Sequence, residues 1–484
     1  MNANVLFKRT VWLVAVAMGV LVGGAVPMQA QQPETAFPKL VAKAAISLAR
    51  LEYSIENELV GSQGRIAQCI CIDAVKGVFM TRDIPATIPF NEMKGFKITA
   101  SANRTKAVDA ELMGRDGEHG FTFIRAKGPH GCKALPFAAS AGLKMGQRVV
   151  SVGLFGPRTG NIPYAGTGIV AGILELPSQV IYVTGGELTI SSSPVMAMDG
   201  RVVGLVGGQM PMDTRMLVQG RWTEIGLAGI QGTRFFVPVD DFADAFRNIP
   251  QKPQDSKRPS WFGAMGLRGL TDKETATLPI PKGRPAVRVG QVVPNGPAAA
   301  AGVQQADVIF AIDGKALEDF PSSDLAAAAF DRRIRRTPAG TKVTFDILRK
   351  GKQEKRTVTL APLPPRPQEA ERYYNKSLGI AARDIVDLER YGAAEVIEIK
   401  GVIVTMVRQN SAVAKANPAG MRPGDVITVV GDKPVPTVKA LRAVLEALAK
   451  AKPRESITFV VHRNGKPAAL SVTPPATPTT APRS

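Results

Sequence analysis

The sequence predicts a mainly β protein with α+β modules, in which one β-rich domain is followed by two copies of a smaller module. Three observations support this fold class. Short β-branched runs separated by Gly, Pro and Asp fill the first half of the chain. The second half repeats itself with a period of about a hundred residues. Each copy contains one stretch with the periodicity of an amphipathic helix.

Residues 1–30 have the order of a secretory signal peptide. Lys8 and Arg9 precede the apolar run "VWLVAVAMGVLVGGAV", and small residues follow, so cleavage is expected after Ala30 or Ala25. An uncleaved membrane anchor is the alternative, but the run is shorter than the ~20 residues that span a bilayer. We therefore expect export to the periplasm or cell envelope.

Residues 38–250 form the predicted β-rich domain. Its short apolar runs include "GQRVVSVGLFG", "GTGIVAGILEL", "SQVIYVTGGEL" and "GRVVGLVGG". Many short strands at hairpin-like spacing are typical of a β-barrel or a β-sandwich. The polar, Pro-rich segment "NIPQKPQDSKRPS" then indicates a linker, which we place at 251–260.

The two predicted modules occupy residues 261–362 and 376–473. The segment "AGVQQADVIFAIDGK" of the first is matched by "AGMRPGDVITVVGDK" of the second, and "VTFDILRKGK" by "ITFVVHRNGK". A second Pro-rich linker is expected at 363–375, and a disordered tail at 474–484. The natural helix N-caps are Ser322 or Ser323 in the first module and Thr437 in the second.

The formal net charge of +20 favours contact with anionic material. Anionic envelope components are therefore one expected partner class, and specific binding of nucleic acid is not expected. A solvated basic surface is the competing interpretation, because Lys and Arg are spread throughout the chain.

The three cysteines are Cys69, Cys71 and Cys132. Cys69 and Cys71 alternate with isoleucines in "QCICID", which is the period of a strand. A disulfide from one of them to Cys132 would be possible in an exported protein, but we expect three small buried apolar side chains. The spacing predicts no metal site, and nothing in the sequence indicates a cofactor.

The repeated motifs resemble the PDZ module appended to HtrA/DegP-type periplasmic serine proteases. The β-rich domain resembles the trypsin-type double β-barrel of that family, since "GTGIVAGI" is similar to its T-x-G-I-V-S strand and "GTRFFVPVDDFADAF" to its G-x-x-F-A-I-P segment. The resemblance implies a trypsin-like double β-barrel followed by two PDZ-like domains.

The resemblance also locates the positions of a catalytic triad. "TISSSPVMAMDGRVVGL" is similar to G-N-S-G-G-P-L-V-N-x-D-G-x-V-V-G and places Ser191 at the nucleophile position. "CICIDAVKGVFMTRDI" places Ile84 at the histidine position, and "GRDGEHGFTFIRA" places Gly120 at the aspartate position. Thr189 replaces a glycine of the oxyanion hole. Because a seryl hydroxyl needs a neighbouring base, this pattern predicts loss of catalysis.

No other histidine is predicted to act as the base. The sequence contains only His119, His130 and His462, and we expect all three to be surface or structural residues. His119 neighbours Gly120, but strand alternation would direct its ring away and no acid is placed to orient it. Asp83, next to Ile84, is a carboxylate without a histidine.

The PDZ resemblance implies two peptide-binding grooves, in which a peptide adds a strand and backbone N–H groups hold its terminal carboxylate. The residues implied are Trp261, Phe262, Gly263 and Ala264 in "SWFGAM", and Leu378, Gly379 and Ile380 in "KSLGIA". The alternative is that these residues begin core strands. Helix residues that could line the grooves, or equally the core, are Leu325, Ala328, Ala329, Leu441, Val444 and Leu445.

These observations predict a non-catalytic pseudoprotease that binds peptide C-termini or unfolded chains as scaffold, chaperone or regulator. The alternative is an active HtrA-type serine endopeptidase of envelope protein quality control. Family members commonly form trimers through N-terminal aromatic residues, and here that region offers only Phe37 and Tyr53. A homo-oligomer or association with active HtrA relatives is therefore a further expectation.

Overall fold

The computed structural model describes residues 36–57, 61–86, 88–104, 106–175, 177–207, 215–218, 221–224, 235–391, 399–451 and 455–475. The predicted signal peptide and most of the predicted tail lie outside these residues. None of the helices in the described ranges is long and apolar enough to cross a membrane.

The first barrel follows a short helix, α1 (Ala36–Ala45), and contains six antiparallel strands. These are β1 (Leu48–Asn57), β2 (Gly61–Asp73), β3 (Val78–Thr81), β4 (Met93–Ala100), β5 (Ala107–Asp116) and β6 (Phe121–Ala126). They close in the order β1-β2-β3-β6-β5-β4. Alternating aliphatic and aromatic side chains of these strands fill the barrel, including Leu51, Phe79 and Ile98, each fully buried.

The second barrel is built in the same way. Its strands are β7 (Arg148–Leu154), β8 (Pro163–Glu175), β9 (Gln179–Thr184), β10 (Pro194–Ala197), β11 (Val202–Val206) and β14 (Phe235–Pro238), with a hairpin of β12 (Arg215–Val218) and β13 (Arg221–Glu224) between the last two. The closed order is β10-β11-β14-β9-β8-β7. One hydrophobic cluster contains residues of both barrels, such as Ile70, Phe121 and Met196, so the two barrels share a core. The prediction of a barrel in this half of the chain is confirmed.

The first repeat is a sheet domain with one long helix. Its strands are β15 (Ser260–Trp261), β16 (Ala264–Met265), β17 (Arg268–Gly269), β18 (Val287–Arg288), β19 (Gln291–Val292), β20 (Val308–Ile312), β21 (Lys315–Ala316), β22 (Lys342–Arg349), β23 (Lys352–Thr359) and β24 (Ala361–Pro362). Its helices are α2 (Asp272–Thr275), α3 (Pro297–Ala300) and α4 (Ser323–Arg336). Ser322 caps α4 by accepting the Asp324 N–H, one of the two predicted caps.

The second repeat has a similar strand and helix order. Its elements are β25 (Arg372–Asn375), β26 (Ile380–Asp384), α5 (Asp387–Arg390), β27 (Val402–Val407), β28 (Val426–Val430), β29 (Lys433–Pro434), α6 (Val438–Ala451), β30 (Ile457–Arg463) and β31 (Lys466–Val472). The main sheet order is β25-β26-β27-β28-β30-β31. The Thr437 hydroxyl accepts the Ala440 N–H, as expected of an N-cap.

Short 3₁₀ turns connect these elements. They span Phe90–Glu92, Pro157–Thr159, Val239–Asp241, Ala243–Arg247, Pro253–Asp255 and Pro367–Glu369. Two of them lie at or beside the segments predicted as linkers, and the last four residues of the predicted linker 363–375 form strand β25. Pro-rich composition marks where the second linker begins, but the chain becomes extended and paired before residue 376.

Each repeat contains an ion pair between a partly exposed arginine and a buried aspartate. Arg349 contacts Asp307 at 2.6 Å, and Arg463 contacts Asp425 at 2.7 Å. Both aspartates are 2% exposed. The aspartates occupy corresponding positions of the sequence repeat, so the internal similarity extends to side-chain contacts.

The three cysteines are free and buried. Burial raises the pKa of the thiols of Cys71 and Cys132 to about 12, and raises that of Cys69 well above its ordinary value. The expectation that they serve as small apolar core residues is confirmed. The disulfide that we considered as the alternative is not formed.

Both aromatic residues considered for assembly pack within this chain. Tyr53 is 5% exposed and stacks on Phe96 with ring centroids 5.6 Å apart. Phe37 packs against the core shared by the barrels. Tyr53 is therefore buried, and Phe37 is half-buried.

Helix α4 of the first repeat is held against the first half of the chain by ion pairs. Arg335 contacts Glu118 at 2.8 Å, and Arg336 lies 3.7 Å from the same carboxylate. Arg332 pairs with Asp241, which follows the last strand of the second barrel. The basic face of α4 therefore contacts an acidic residue of the first barrel, Glu118, and one that follows the second barrel, Asp241.

Candidate functional sites

The serine loop, residues 188–193, links strand β9 to strand β10 of the second barrel. Ser192 has a φ of +63°, in the left-handed region that favours glycine. Ser192 and Ser193 are fully buried, whereas Ser191 is half-buried. Of the three hydroxyls, only that of Ser191 lies on a partly exposed residue, which is consistent with the position assigned to it from the sequence.

The side chain that approaches this loop is a carboxylate. The Ser192 hydroxyl donates to Asp83 Oδ1 at 2.9 Å and accepts the Arg82 N–H at 2.9 Å. Burial raises the pKa of the Asp83 carboxyl, and interactions with the hydroxyls of Ser192 and Ser191 partly offset that rise. Asp83 thus contacts the serine loop, a contact that sequence analysis did not predict.

Gln68 ties the serine loop to both barrels. Its Nε2 donates to Ser193 Oγ at 3.0 Å, and its Oε1 accepts the Leu154 N–H at 2.7 Å. Gln68 is 4% exposed and lies on β2 of the first barrel. The loop is therefore anchored by an amide that crosses the interface between the barrels.

The region expected to stabilise an oxyanion has a different arrangement of donors. Thr189 is 2% exposed, and its N–H donates to Ser151 Oγ at 2.7 Å. That backbone donor is consequently directed into the protein. An oxyanion hole needs N–H groups aimed at the position of the developing charge, so one donor that the resemblance implied is engaged elsewhere.

The remaining triad positions hold apolar or small residues. Ile84 is 3% exposed and belongs to the hydrophobic core of the first barrel. Gly120 is exposed, with a φ of +70° in the turn before β6. Neither residue has a side chain that can accept a proton or orient an imidazole ring.

The contacts of all three histidines, which lie within the described residues, are with groups outside the serine loop. His130 Nε2 lies 3.2 Å from the Ala74 carbonyl, and its Nδ1 accepts the Cys132 N–H. His462 lies on β30 with its Nδ1 buried and unpaired. These two rings occupy structural positions in their own domains.

His119 differs from the sequence prediction in one respect. The ring is 7% exposed, with Nδ1 3.1 Å from Asp116 Oδ1 and Nε2 3.1 Å from Asp244 Oδ1. The expectation that no acid is placed to orient it was wrong, because Asp116 precedes it in the same turn and Asp244 comes from a distant 3₁₀ turn. With both nitrogens facing carboxylates, His119 connects the two barrels.

In the first repeat, the predicted groove residues lie partly in the core. The Phe262 ring is 2% exposed and packs against Phe345 and Phe330 with centroids 5.0 and 5.8 Å away. Trp261 pairs with Ala361, and Ala264 with Val292. Gly263 has a φ of +98°, and a Cβ there would lie 2.7 Å from the Ala298 nitrogen. The glycine is required by close backbone approach.

In the second repeat, the predicted loop lies at the start of β26. Leu378 and Ile380 are buried, and Gly379 has a φ of +76°. The Leu378 N–H donates to Asn375 Oδ1 at 3.0 Å, and the Gly379 N–H donates to the Asn375 carbonyl at 2.8 Å. The two backbone donors of the predicted carboxylate loop are therefore bound to a residue of this same chain.

The helix residues considered for the grooves divide between core and surface. Leu325, Leu441 and Leu445 are buried, and Val444 packs against the core of the second repeat. Ala328 and Ala329 are half-buried. Helical periodicity alone could not separate these roles, because the same face of a helix turns toward both core and groove.

Comparison with known proteins identifies the domains. Residues 80–205 match the trypsin-like peptidase domain family, and residues 263–360 and 377–473 each match the PDZ domain family. The periplasmic serine endoprotease DegP of Salmonella typhimurium is 24% identical over 384 residues, covering 78% of this chain and 71% of that protein.

Another relative and a solved structure agree with this. A probable periplasmic serine endoprotease DegP-like protein of Hahella chejuensis is 26% identical over 385 residues, covering 75% of this chain and 72% of the relative. A solved serine-to-alanine variant of the HtrA-type protease AlgW with a decapeptide has a TM-score of 0.51 at 17% identity, covering 68% of this chain and 98% of that one. At that identity, the likeness concerns the fold.

Proposed function

Because the chain is a trypsin-like peptidase domain followed by two PDZ domains, in the HtrA/DegP-like order, we propose that it is an exported pseudoprotease that binds peptides without cleaving them. Its ligands would be peptide C-termini or unfolded chains, and its role that of scaffold, chaperone or regulator. Relatives named as periplasmic endoproteases support a location in the periplasm or envelope.

One observation carries the proposal. The carboxylate of Asp83 is hydrogen-bonded to the serine loop, and the contacts of the three histidines are with other groups. General-base catalysis is most efficient when the pKa of the base is near the working pH, which suits an imidazole. Loss of the base alone lowers the rate of a serine protease by a factor on the order of 10⁶.

Two further features are consistent with the proposal. The Thr189 N–H is engaged by Ser151, so the oxyanion of an acyl-transfer reaction would lack that donor. The hydroxyl of Ser192 donates to Asp83, and because Ser192 is only 1% exposed this hydroxyl is closed to a substrate. The loop is therefore proposed to stabilise the junction between the barrels.

The alternative is an active HtrA-type serine endopeptidase. Ser191 remains half-buried beside a carboxylate with a raised pKa, which is the observation in its favour. Hydrolysis of casein by the purified protein and by Ser191→Ala separates the two functions. We expect no serine-dependent cleavage by either protein; cleavage that is lost in Ser191→Ala would establish the endopeptidase.

Peptide binding is tested separately, with a labelled peptide that carries a free C-terminal carboxylate and its amidated counterpart. Capture by a PDZ groove should require the carboxylate. Binding to anionic envelope components through the net charge of +20 would instead weaken steeply as salt is added. Equal, salt-sensitive binding of both peptides would contradict groove capture.

A further inference from the structure

Strand β25 occupies the edge of the second PDZ domain to which a peptide would add. It pairs antiparallel with β26, from Arg372 opposite Arg383 to Asn375 opposite Ile380. The opposite edge of β26 is paired with β27. From residue 380 to residue 383, both edges of β26 are therefore satisfied within this chain, and a peptide ligand has no edge to join.

The direction of β25 is that of a bound C-terminal peptide. A ligand strand antiparallel to β26 must end beside the loop that precedes β26, and β25 ends there at Asn375. The N–H groups of Leu378 and Gly379 donate to the side chain and the carbonyl of Asn375. Asn375 thus supplies two oxygen acceptors where a terminal carboxylate would supply its own.

The side chains of β25 also alternate as those of a bound strand would. Tyr373 is 9% exposed and belongs to the same hydrophobic cluster as Leu441 and Leu445 of helix α6. The guanidinium of Arg442, also on α6, lies 5.2 Å from the centre of the tyrosine ring. The ring therefore fills the space between β26 and the helix, two residues before the end of the strand.

The outward side chains of β25 are held by the peptidase domain. Glu92, in the 3₁₀ turn before β4, accepts the Tyr374 hydroxyl at 2.5 Å and lies 3.4 Å from Arg372 Nη1. Glu92 is 7% exposed. Burial and the contact with Glu92 raise the pKa of Tyr374 to about 12, so its hydroxyl remains a donor at neutral pH.

We propose that Arg372–Asn375 is a built-in ligand of the second PDZ groove, which a C-terminal peptide must displace to bind. This inference rests on the proposed peptide-binding function and adds its regulation. Displacement would break the bonds to Glu92, so peptide binding releases this PDZ domain from the first barrel. A competing peptide should carry an aromatic residue two positions before its terminal carboxylate, as Tyr373 stands two positions before Asn375.

The experiment uses the full chain and a fluorescein-labelled heptapeptide, Glu-Ala-Glu-Arg-Tyr-Tyr-Asn, which copies residues 369–375 with a free carboxylate. Affinity is measured by fluorescence anisotropy for wild type, Glu92→Gln and Tyr374→Phe. Glu371→Gln makes the same charge change at an exposed neighbouring position and serves as the control. Hydrogen exchange of the amides in 380–383 is followed in parallel.

Tyr374→Phe removes the hydrogen bond to Glu92, and Glu92→Gln takes the negative charge from its acceptor, so each variant shifts the population toward the open groove. We expect the dissociation constant to fall about tenfold in each and exchange at 380–383 to quicken, with no change in Glu371→Gln. If wild type, Glu92→Gln and Tyr374→Phe bind the peptide with equal affinity and exchange at equal rates, the proposal of a built-in ligand is wrong while peptide binding stands. Binding by none of the proteins would overturn the peptide-binding function and the competition together.

Discussion

Asp83 Oδ1 lies 2.9 Å from Ser192 Oγ, so a carboxylate from the first barrel is hydrogen-bonded to the serine loop of the second. The bond is partly buried, and the Arg82 N–H donates to the same hydroxyl. The family resemblance places Ile84, the residue after Asp83, at the histidine position. The side chain of Ile84 instead packs into the core of the first barrel. Asp83, and not Ile84 at the histidine position, is therefore the residue that contacts the serine loop.

Replacing Asp83 with Asn should change how stability depends on pH. The folded-state pKa of Asp83 is raised, so the folded state binds the proton more tightly than the unfolded state, where the pKa is about 3.9. The contribution of Asp83 to stability is therefore fully present below that pH and is lost as pH rises through the raised pKa. Between pH about 3.9 and the raised pKa of Asp83, the free energy of unfolding of wild type should fall relative to that of Asp83→Asn. Urea unfolding of both proteins from pH 3.5 to 7 measures this, and a pH-independent difference would contradict it.

Gly379→Ala should destabilise the second PDZ domain more than Gly465→Ala. The two glycines have nearly equal φ values, +76° and +75°, so the backbone cost of roughly 1 kcal/mol is shared. A Cβ at Gly379 would lie 2.3 Å from Ser411 Cβ, whereas a Cβ at Gly465 has open space. Thermal unfolding of the two variants isolates the steric part. Equal losses of stability would show that Ser411 moves aside freely.

Asp425→Ala should leave the partly exposed guanidinium of Arg463 without its partner. Asp425 is 2% exposed and contacts Arg463 at 2.7 Å. Breaking a fully buried pair from one side costs about 3 kcal/mol, and water that reaches the partly exposed guanidinium should lower the cost here to about 1–2 kcal/mol. Asp432→Ala, at an exposed position of the same domain, should change the free energy of unfolding by less than about 0.5 kcal/mol. Denaturant titration compares them, and similar values for both variants would refute the role of the pair.

Glu118→Lys should loosen the first PDZ domain from the barrels. Glu118 contacts Arg335 at 2.8 Å and Arg336 at 3.7 Å, so a lysine there would repel both. We expect a larger radius of gyration by small-angle scattering, with wild type moving in the same direction as salt is added. Glu111→Lys, which reverses a charge paired only within the first barrel, is the control. An unchanged radius in Glu118→Lys would mean that other contacts hold the domain.

Local and repeated patterns made part of this structure predictable. The caps at Ser322 and Thr437 follow from short-range hydrogen bonding, and the paired aspartates follow from the sequence repeat. Long-range contacts were not predictable in the same way. Asp244 reaches His119 from a remote turn, and β25 is short and follows a Pro-rich stretch. Strand pairing depends on register and on which edge is left open, and neither is encoded in a four-residue segment.

The buried thiols of the first barrel bear on its response to oxidants. Oxidation and disulfide exchange proceed through the thiolate, and with pKa values near 12 Cys71 and Cys132 hold their protons at neutral pH. Cys69, fully buried, is shielded further. In the folded barrel these three thiols should therefore resist cross-linking and sulfenic acid formation.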